Sequence, residues 1–470
     1  MSSAAEGEAE CFAVRRGDTH QRLDCHYHLP EYRALLATLR DRHSRVVRLD
    51  SVAEVVCGPF GSEIKASDYR EVGVPLLRIS DIKEDGTIDE TGLVYLDEAK
   101  ANSLASTQVE PGDLVISQRG TVGISAIVPD SHPVWNISAN LIAVTKITKV
   151  SAPCVQLILS CRAGAKQLER NRSGQVQGKV TTEDVASVLI PLPPPGIQRA
   201  LVAEMEAARE AHRRRLEEAD ALLTGIDAYL LAQLGLAPPP REQRPAFAVN
   251  LARLRSDERL NPEYFHPERQ QAVRAILAAD KSVVPVRIKD VANFVRDAEQ
   301  VSCLEEYIGL GSVQRNTGEL IESFDEDAQG QAFRFMAGDV LFCRLRPYLN
   351  KVHKAERNGI CSTEFHVIRV RPTEKLTHTV LPDYLAAVLR SSVVVAQTTH
   401  MMTGNTHPRL SNADVVNLLI PVPSPGVQER IVAVISKRRA DARRLRAEAA
   451  AEWEAAKARF EEKLLGRRSG

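Results

Sequence analysis

Two segments 230 residues apart repeat one another, and this constrains the fold of the chain more than any other feature. Asp184–Val202 reads DVASVLIPLPPPGIQRALV and Asp414–Val432 reads DVVNLLIPVPSPGVQERIV, ten of nineteen positions being identical without a gap. Stacked solenoid repeats recur about every 20–50 residues. A period this long is instead two copies of one domain-sized unit.

The repeat extends outward. RLDCHYHLPE from Arg22 echoes RLNPEYFHPE from Arg259, and VRLDSVAEVV from Val47 echoes VRIKDVANFV from Val286. Pro111-Gly112-Asp113-Leu114-Val115 matches Ala337-Gly338-Asp339-Val340-Leu341, and ISANLIAV from Ile137 matches STEFHVIRV from Ser362. Over this region the offset drifts between 225 and 239, then locks at 230 from residue 184. Loops with insertions between fixed elements behave in this way.

The locked part predicts a long helix in each copy. No proline follows Pro195-Gly196 until Pro238, and none follows Pro425-Gly426. Leu201, Met205, Ala208, His212, Leu216, Ala219, Leu223, Ile226, Leu230 and Leu234 are spaced by threes and fours. Ile431, Ile435, Arg438, Ala442, Arg446, Ala449, Trp453, Ala456, Phe460 and Leu464 follow 230 residues later, one for one. Such a stripe suits an amphipathic helix packed on its own domain, or a coiled-coil seam with a stutter. Matched length and matched stutter favour antiparallel pairing of the two helices. A 38-residue helix is roughly 57 Å long, more than the ~34 Å turn of B-DNA.

The 470 residues allow two to four domains. Apolar residues make up 44%, and no run approaches the ~18 apolar residues of a membrane span. The polar start MSSAAEGEAECFAVRRGD is unlike a secretory signal, so a cytoplasmic location without membrane association is expected. Lys plus Arg and Asp plus Glu both total 61, so any basic surface is local. The eight cysteines are scattered without a C-x-x-C pair, which argues against zinc ribbons and disulfide frameworks. No phosphate loop or H-E-x-x-H helix occurs. Asn261-Pro262-Glu263-Tyr264 departs from the adenine-holding N-P-P-Y/F tetrapeptide at its third residue, and the other copy has Asp24-Cys25-His26-Tyr27. Pro129-Asp130 and Pro382-Asp383 lack a following D/E-x-K. No catalytic, cofactor or metal site is expected in this chain.

The parts before each locked block read as mixed α/β units. Strands are expected over Val46–Val56, Pro75–Ile82, Asp113–Ser117 and Leu141–Ile147, then Val283–Val295, Tyr307–Val313, Asp339–Cys343 and Phe365–Val370. A helix, Ala152–Arg170 and Leu381–Gln397, precedes the last strand of each.

The segment GPFGSEIKASDYREVGVPLLRISDI, Gly58 to Ile82, resembles the opening of target-recognition domains in specificity subunits of type I restriction–modification systems. The turns at Gly112-Asp113 and Gly338-Asp339 and the I-P-x-P-x-P-x-x-Q start of each long helix share this resemblance, which spans roughly residues 45–466. The second copy has VRDAEQVSC where GPFG would fall, and glycine-containing Gly196-Ile197-Gln198 and Gly426-Val427-Gln428 replace the usual Glu before Gln.

The resemblance implies an α/β (α+β) protein: two duplicated target-recognition domains with mixed β-sheet, joined and spaced by two long antiparallel coiled-coil helices. The expected boundaries are an N-terminal segment with helix (1–44), recognition domain 1 (45–195), spacer helix 1 (196–236) and a linker repeating the N-terminal helix (237–282). Recognition domain 2 (283–425), spacer helix 2 (426–466) and a tail (467–470) complete the chain. Each domain would read one half of a split, asymmetric double-stranded DNA target. The implied partners are a modification subunit, normally in two copies and carrying S-adenosylmethionine, and an ATP- and Mg-dependent restriction subunit. This chain would supply the address and no chemistry.

Candidate DNA-binding residues follow from loop chemistry, because Arg forks onto guanine, Gln and Asn onto adenine, and Lys and Ser/Thr hold phosphate. They are Arg78, Ser80, Gln118, Arg119, Thr121, Gln175, Gln177 and Lys179 in the first copy. In the second they are Arg344, Arg346, Tyr348, Asn350, Lys351, Asn405, His407 and Arg409. Candidates for the helix pair or a partner interface are Gln198, Leu201, Met205, Leu223, Leu230, Gln428, Ile431, Ile435, Trp453 and Phe460. The basic run Lys437-Arg438-Arg439, Arg443, Arg444 and Arg446 could track DNA, bind a partner or form a solvated face. Two rival classes remain: a non-catalytic coiled-coil adaptor between proteins, and a self-contained methyltransferase or nuclease.

Overall fold

The computed structural model describes residues 26–42, 45–83, 85–119, 123–171, 179–240, 262–300, 307–321, 330–372, 378–402 and 408–465, together with 14, 247–249, 252 and 254. The chain forms a mixed α/β protein of several sheets and two long helices. It divides into two compact units, residues 1–214 with 448–470 and residues 215–447.

In the first unit, β1 (Val46–Arg48) pairs with β10 (Leu189–Pro191). A four-stranded antiparallel sheet has the order β2-β9-β6-β7, formed by Glu54–Cys57, Leu141–Thr145, Leu114–Ser117 and Ser125–Ile127. A second sheet has the order β4-β3-β8-β5, from Val94–Leu96, Val74–Leu77, Trp135–Ile137 and Gln108–Val109, with β3 and β8 parallel. Side chains alternate across a strand, and β6 uses both faces. Leu114 and Ile116 pack with Val155, Ile158 and Leu168 of the helical layer, while Val115 packs with Trp135, Ile137 and Leu77 of the second sheet. The result is three layers, helices on sheet on sheet.

The second unit repeats this plan. β11 (Val283–Arg287) pairs with β20 (Leu419–Pro423). The central sheet has the order β12-β19-β16-β17, from Ala292–Val295, Phe365–Val370, Val340–Cys343 and Val352–Lys354. The outer sheet has the order β13-β15-β18-β14, from Ala298–Gln300, Gln331–Phe335, Gly359–Ser362 and Tyr307–Ile308, with β14 and β18 parallel. Val340 and Phe342 face the helical core, whereas Leu341 and Cys343 face Phe335, Cys361 and Phe365. Gly112 and Gly338 open the strands β6 and β16 at φ +89° and +90°, a region that favours glycine. The aspartate after each accepts a backbone N–H three residues upstream, Asp113 from Glu110 and Asp339 from Met336.

Several expectations change, and the strands expected over Pro75–Ile82 and Tyr307–Val313 shorten to Val74–Leu77, followed by a 3-10 turn at Ile79–Asp81, and to Tyr307–Ile308. The strands expected over Val46–Val56 and Val283–Val295 are each interrupted, by a 3-10 turn at Leu49–Ser51 and a helical turn at Ile288–Val291. Leu49 and Ile288 are buried and donate their N–H to Val188 O and Leu418 O. The chain thereby passes from the two-stranded ladder to the central sheet. The helices expected over Ala152–Arg170 and Leu381–Gln397 are each two helices, Ala152–Ser160 with Arg162–Asn171, and Pro382–Leu389 with Ser392–Thr399. In the first pair Cys161 is extended at ψ 165°, and a Cβ on Gly164 would lie 2.1 Å from Ile158 O. The corner is tight enough to need glycine there.

The long helices span Pro195–Gln233 and Pro425–Leu465. Within the first unit, Leu201 and Met205 share a core with Ala456, Phe460 and Leu464, and Glu204 pairs with Lys463. Within the second, Leu230 shares a core with Ile431 and Ile435, and Ala219 packs with Ala442 and Leu445. Arg446 pairs with Asp220 at 2.7 Å and Arg438 donates to Gly225 O at 2.7 Å. Rising numbers on one helix meet falling numbers on the other in both units. Leu445, rather than the stripe position Arg446, fills the apolar seam beside Ala442.

Gln198 and Gln428, expected at the helix pair or a partner surface, instead serve their own units. Gln428 is fully buried; its Oε1 accepts from Leu381 N, and its Nε2 donates to Thr379 O and Pro423 O at 2.8 and 2.9 Å. Gln198 does the same for Ser151 N, Lys149 O and Pro193 O. Gln428→Leu orphans one buried donor and two acceptors, at about 1–3 kcal/mol for each group left unsatisfied. Urea unfolding of this variant should show a loss of about 3 kcal/mol or more, against well under 1 kcal/mol for the exposed neighbour Glu429→Ala.

Candidate nucleic-acid interface

Each central sheet ends in two loops that are remote in sequence and tied together by the backbone. After β6, Gln118 N–H donates to Asn140 O at 2.9 Å, Val180 N–H donates to Gln118 O at 3.1 Å, and Arg119 bridges to Lys179. After β16, Arg344 N–H donates to Glu364 O at 2.9 Å, Leu410 N–H donates to Arg344 O at 3.0 Å, and Leu345 bridges to Arg409. The loop after the Gly-Asp strand and the loop before the repeated block thus emerge side by side from the same edge in both units.

In the second unit the first of these loops is a rigid turn. A 3-10 helix, Pro347–Leu349, is flanked by Arg346 and Asn350, both left-handed at φ 48° and 51°. Non-glycine residues rarely hold this conformation and are found where surrounding structure over-determines them. Here Pro347 is buried, Arg346 N–H donates to Pro408 O, and Asn350 Nδ2 donates to Arg390 O at 2.9 Å. The turn projects Arg346 and the ring of Tyr348, 45% exposed, into solvent.

Beneath it lies a charged cluster. Glu364 takes a two-pronged contact from Arg409, at 2.7 and 3.1 Å, and lies 3.9 Å from Arg344 Nε. Behind it His366 is buried, with Nε2 3.4 Å from Leu410 O. Burial, reinforced by the Arg344 charge, pushes its pKa down to about 4, so the ring is neutral at pH 7 and can sit under two arginines without repulsion. In the first unit Asn140 stands where Glu364 stands, and the pair is built from backbone alone.

The sequence-chosen residues fall into three groups. Arg119, Lys179, Arg346, Tyr348, Arg344 and Arg409 are brought together at the loop ends of their own units. Others are occupied internally. Arg78 donates to both oxygens of Asp81 and to Gly92 O, Ser80 donates to Asp81, and Gln118 is buried with its amide on Cys57 Sγ. Asn350 caps the Arg390 carbonyl, and Lys351 donates to Leu310 O. These five hold loops in shape. Thr121, Gln175, Gln177, Asn405 and His407 lie outside the described residues.

Much of the basic run on the second long helix is also used inward. Arg439 donates to Thr317 O, Arg443 and Arg446 flank Glu319, and Arg444 meets Asp441. Sequence reasoning missed Glu364 and His366, although both stand inside the repeat STEFHVIRV that marked this strand. It also missed Gln167 and Gln397, buried amides that each bond both backbone groups of the facing residue, Leu189 or Leu419. Their spacing of 230 was the available signal.

Residues 42–218 match the family described as type I restriction modification DNA specificity domain. No curated protein matches. Among solved structures, one described as showing complex assembly and conformational transition of the type I R-M system is 18% identical, with a TM-score of 0.49 over 90% of this chain and 97% of that one. The HsdS subunit from Thermoanaerobacter tengcongensis is 17% identical, TM-score 0.37, over 90% and 96%. A type I restriction-modification S subunit from M. genitalium is 10% identical, TM-score 0.42, over 90% and 96%. No described helix is long and apolar enough to cross a membrane.

The buried histidine predicts a pH dependence. An unfolded His titrates near 6.5, so with the folded pKa depressed the unfolded state binds more protons in the interval between. The stability from a neutral His366 is full above pH ~6.5 and falls as pH drops toward 4. Urea midpoints measured at pH 7 and pH 5 should differ by about 2 kcal/mol in favour of pH 7, and His366→Phe should remove most of that difference.

Proposed function

With a type I restriction modification DNA specificity domain at residues 42–218, we propose that this chain is the DNA-sequence-reading subunit of a type I restriction–modification complex, part of a bacterial defence system. That family match is the observation that carries the reading. The internal repeat extends it to the second unit, which has the same central strand order and the same paired loops. Two recognition domains with different loops read a split, asymmetric target in double-stranded DNA, one half-site each. The two long helices form an antiparallel coiled coil that fixes the unread spacer.

Base reading falls to the loop ends of each central sheet. Arg346 forks onto a base edge or phosphate, the exposed ring of Tyr348 packs on the duplex, and Arg119 and Lys179 play the corresponding part in the first unit. Arg344 and Arg409, partly neutralised by Glu364, hold the loop and contribute positive potential. Thr121, Gln175, Gln177, Asn405 and His407 belong to the same loops and are further candidates. The chain is non-catalytic and carries no catalytic cofactor. Modification subunits, two copies, supply S-adenosylmethionine chemistry on adenine, and a restriction subunit supplies ATP- and Mg-dependent cleavage. The complex works in the cytoplasm.

The test is co-expression with a type I modification subunit encoded beside it, followed by mapping of N6-methyladenine in the host DNA. Methylation should appear at two short specified halves around a fixed gap and vanish when this chain is omitted. Methylation indifferent to the chain would favour a protein–protein adaptor instead. Arg346→Ala should weaken binding by about 1–3 kcal/mol or relax one position of one half-site, leaving the other half-site unchanged.

A further inference from the structure

In the second unit the start of the helix Pro267–Leu277 meets the end of the helix Ser392–Thr399. His266 is the N-cap of the first, its Nδ1 accepting Glu268 N–H at 3.3 Å, and His400 is the C-cap of the second. The two imidazoles stack, with centroids 3.6 Å apart and planes 9° from parallel. Glu268 Oε2 lies 3.1 Å from His400 Nε2, and Glu263 Oε2 lies 3.9 Å from His400 Nδ1. One donor atom from each of His266, Glu268 and His400 falls within 4.8 Å of the others, the one such group among the described residues.

The first unit shows what this position requires. The repeat aligns Leu29 with His266, Glu31 with Glu268, Lys166 with Ala396 and Arg170 with His400. There Lys166 Nζ stands 3.5 Å from Glu31, and Arg170 lies over the Tyr27 ring at 3.7 Å while donating to Tyr27 O. Fixed positive charge therefore sits beside the helix-start glutamate. In the second unit Arg269 takes the place of that arginine, 3.7 Å over the Tyr264 ring and donating to Tyr264 O, while alanine replaces the lysine, and His400 at the position of Arg170 is left facing Glu268.

We propose that His266, His400 and Glu268 bind one divalent transition-metal ion of the zinc class, which faces Glu268 where Lys166 faces Glu31 and clamps the two helix ends. Two imidazole nitrogens and a carboxylate oxygen are a zinc-type donor set. Zn–N bonds of 2.0–2.1 Å at a tetrahedral angle separate two nitrogens by about 3.3 Å, and the donor atoms here already lie within 4.8 Å of one another. A turn of each ring about its Cβ–Cγ bond converges the lone pairs. Glu263 or water completes the fourth position. The aligned positions of the first unit, Leu29 and Arg170, carry no ligand, so among the described residues one ion site is present.

The full-length chain, freed of metal with a chelator, is titrated with Co²⁺ and then Zn²⁺ while visible absorption and melting temperature are followed. One equivalent should bind, giving the intense absorption of tetrahedral cobalt that zinc displaces, and zinc should raise the melting temperature. His266→Asn keeps an N-cap acceptor and His400→Gln keeps a donor toward Glu268, so both variants should melt like the metal-free parent. Their affinity for the ion should fall by more than the roughly 10–100-fold that loss of an outer-shell partner costs. Absence of saturable binding by the parent chain overturns the proposal, as does binding that both variants retain. Neither result bears on DNA recognition, which does not depend on this site.

Discussion

Each unit depends on a glutamine in the first turn of its long helix. The segment leading into that helix is rich in proline, Pro191-Leu192-Pro193-Pro194-Pro195 in one copy and Pro421-Val422-Pro423-Ser424-Pro425 in the other. Proline fixes φ and removes a donor, while the carbonyls of such a segment still need partners when buried. Gln198 and Gln428 supply them, each bonding the carbonyl five residues back and, with the rest of the amide, both sides of the loop that opens the helical layer. One side chain thus fixes helix, strand and helical layer together. The repeated block retains Gln while its immediate neighbours, Ile197 and Arg199 against Val427 and Glu429, differ between copies, which follows from this geometry.

From that fixed corner the rest of each unit is set by period. The central strand β6 or β16 alternates its side chains between helices and outer sheet, so its register cannot slip by one residue without exposing both cores. Gln167 and Gln397 bond both backbone groups of the facing residue at an edge where no further strand continues the ladder. Those amides hold β10 and β20, while beyond β6 and β16 the two loops are joined by short backbone bridges. A recognition surface built this way can change loop chemistry without moving its foundation.

The sequence made the scaffold legible because scaffold constraints are periodic. The Gly-Asp turns and the proline-to-glutamine start of each helix recur in both copies and occur in the structure where the pattern placed them, and the core of each expected strand is present. Contacts within single loops were not legible. Arg78 looks like a DNA-contacting side chain until its fork is found on Asp81 three residues away, and Gln118 looks exposed until its bridged backbone turns it inward. The broken strands and broken helices were missed for a related reason. Each strand break exchanges one local hydrogen bond for a tertiary one, Leu49 N–H to Val188 O or Ile288 N–H to Leu418 O, and no local window contains both partners.

The two units also solve one electrostatic problem differently. Where two loops carrying basic groups converge, the charges repel unless compensated, and compensation weakens what they can offer to a phosphate. The second unit places Glu364 beneath Arg409 and Arg344 and keeps His366 neutral by burial. Its cluster is pre-organised, and the free positive charge is moved outward to Arg346 on a rigid turn. The first unit has Asn140 in place of Glu364 and offers the exposed Arg119 beside Lys179 with no carboxylate in that position. Charges paired with a partly buried carboxylate are screened less by salt than fully solvent-exposed ones. The two halves of the surface should therefore differ in salt sensitivity, the first losing affinity more steeply as ionic strength rises. Such a difference arises from one residue pair, Asn140 and Glu364, at matching places in a repeated fold.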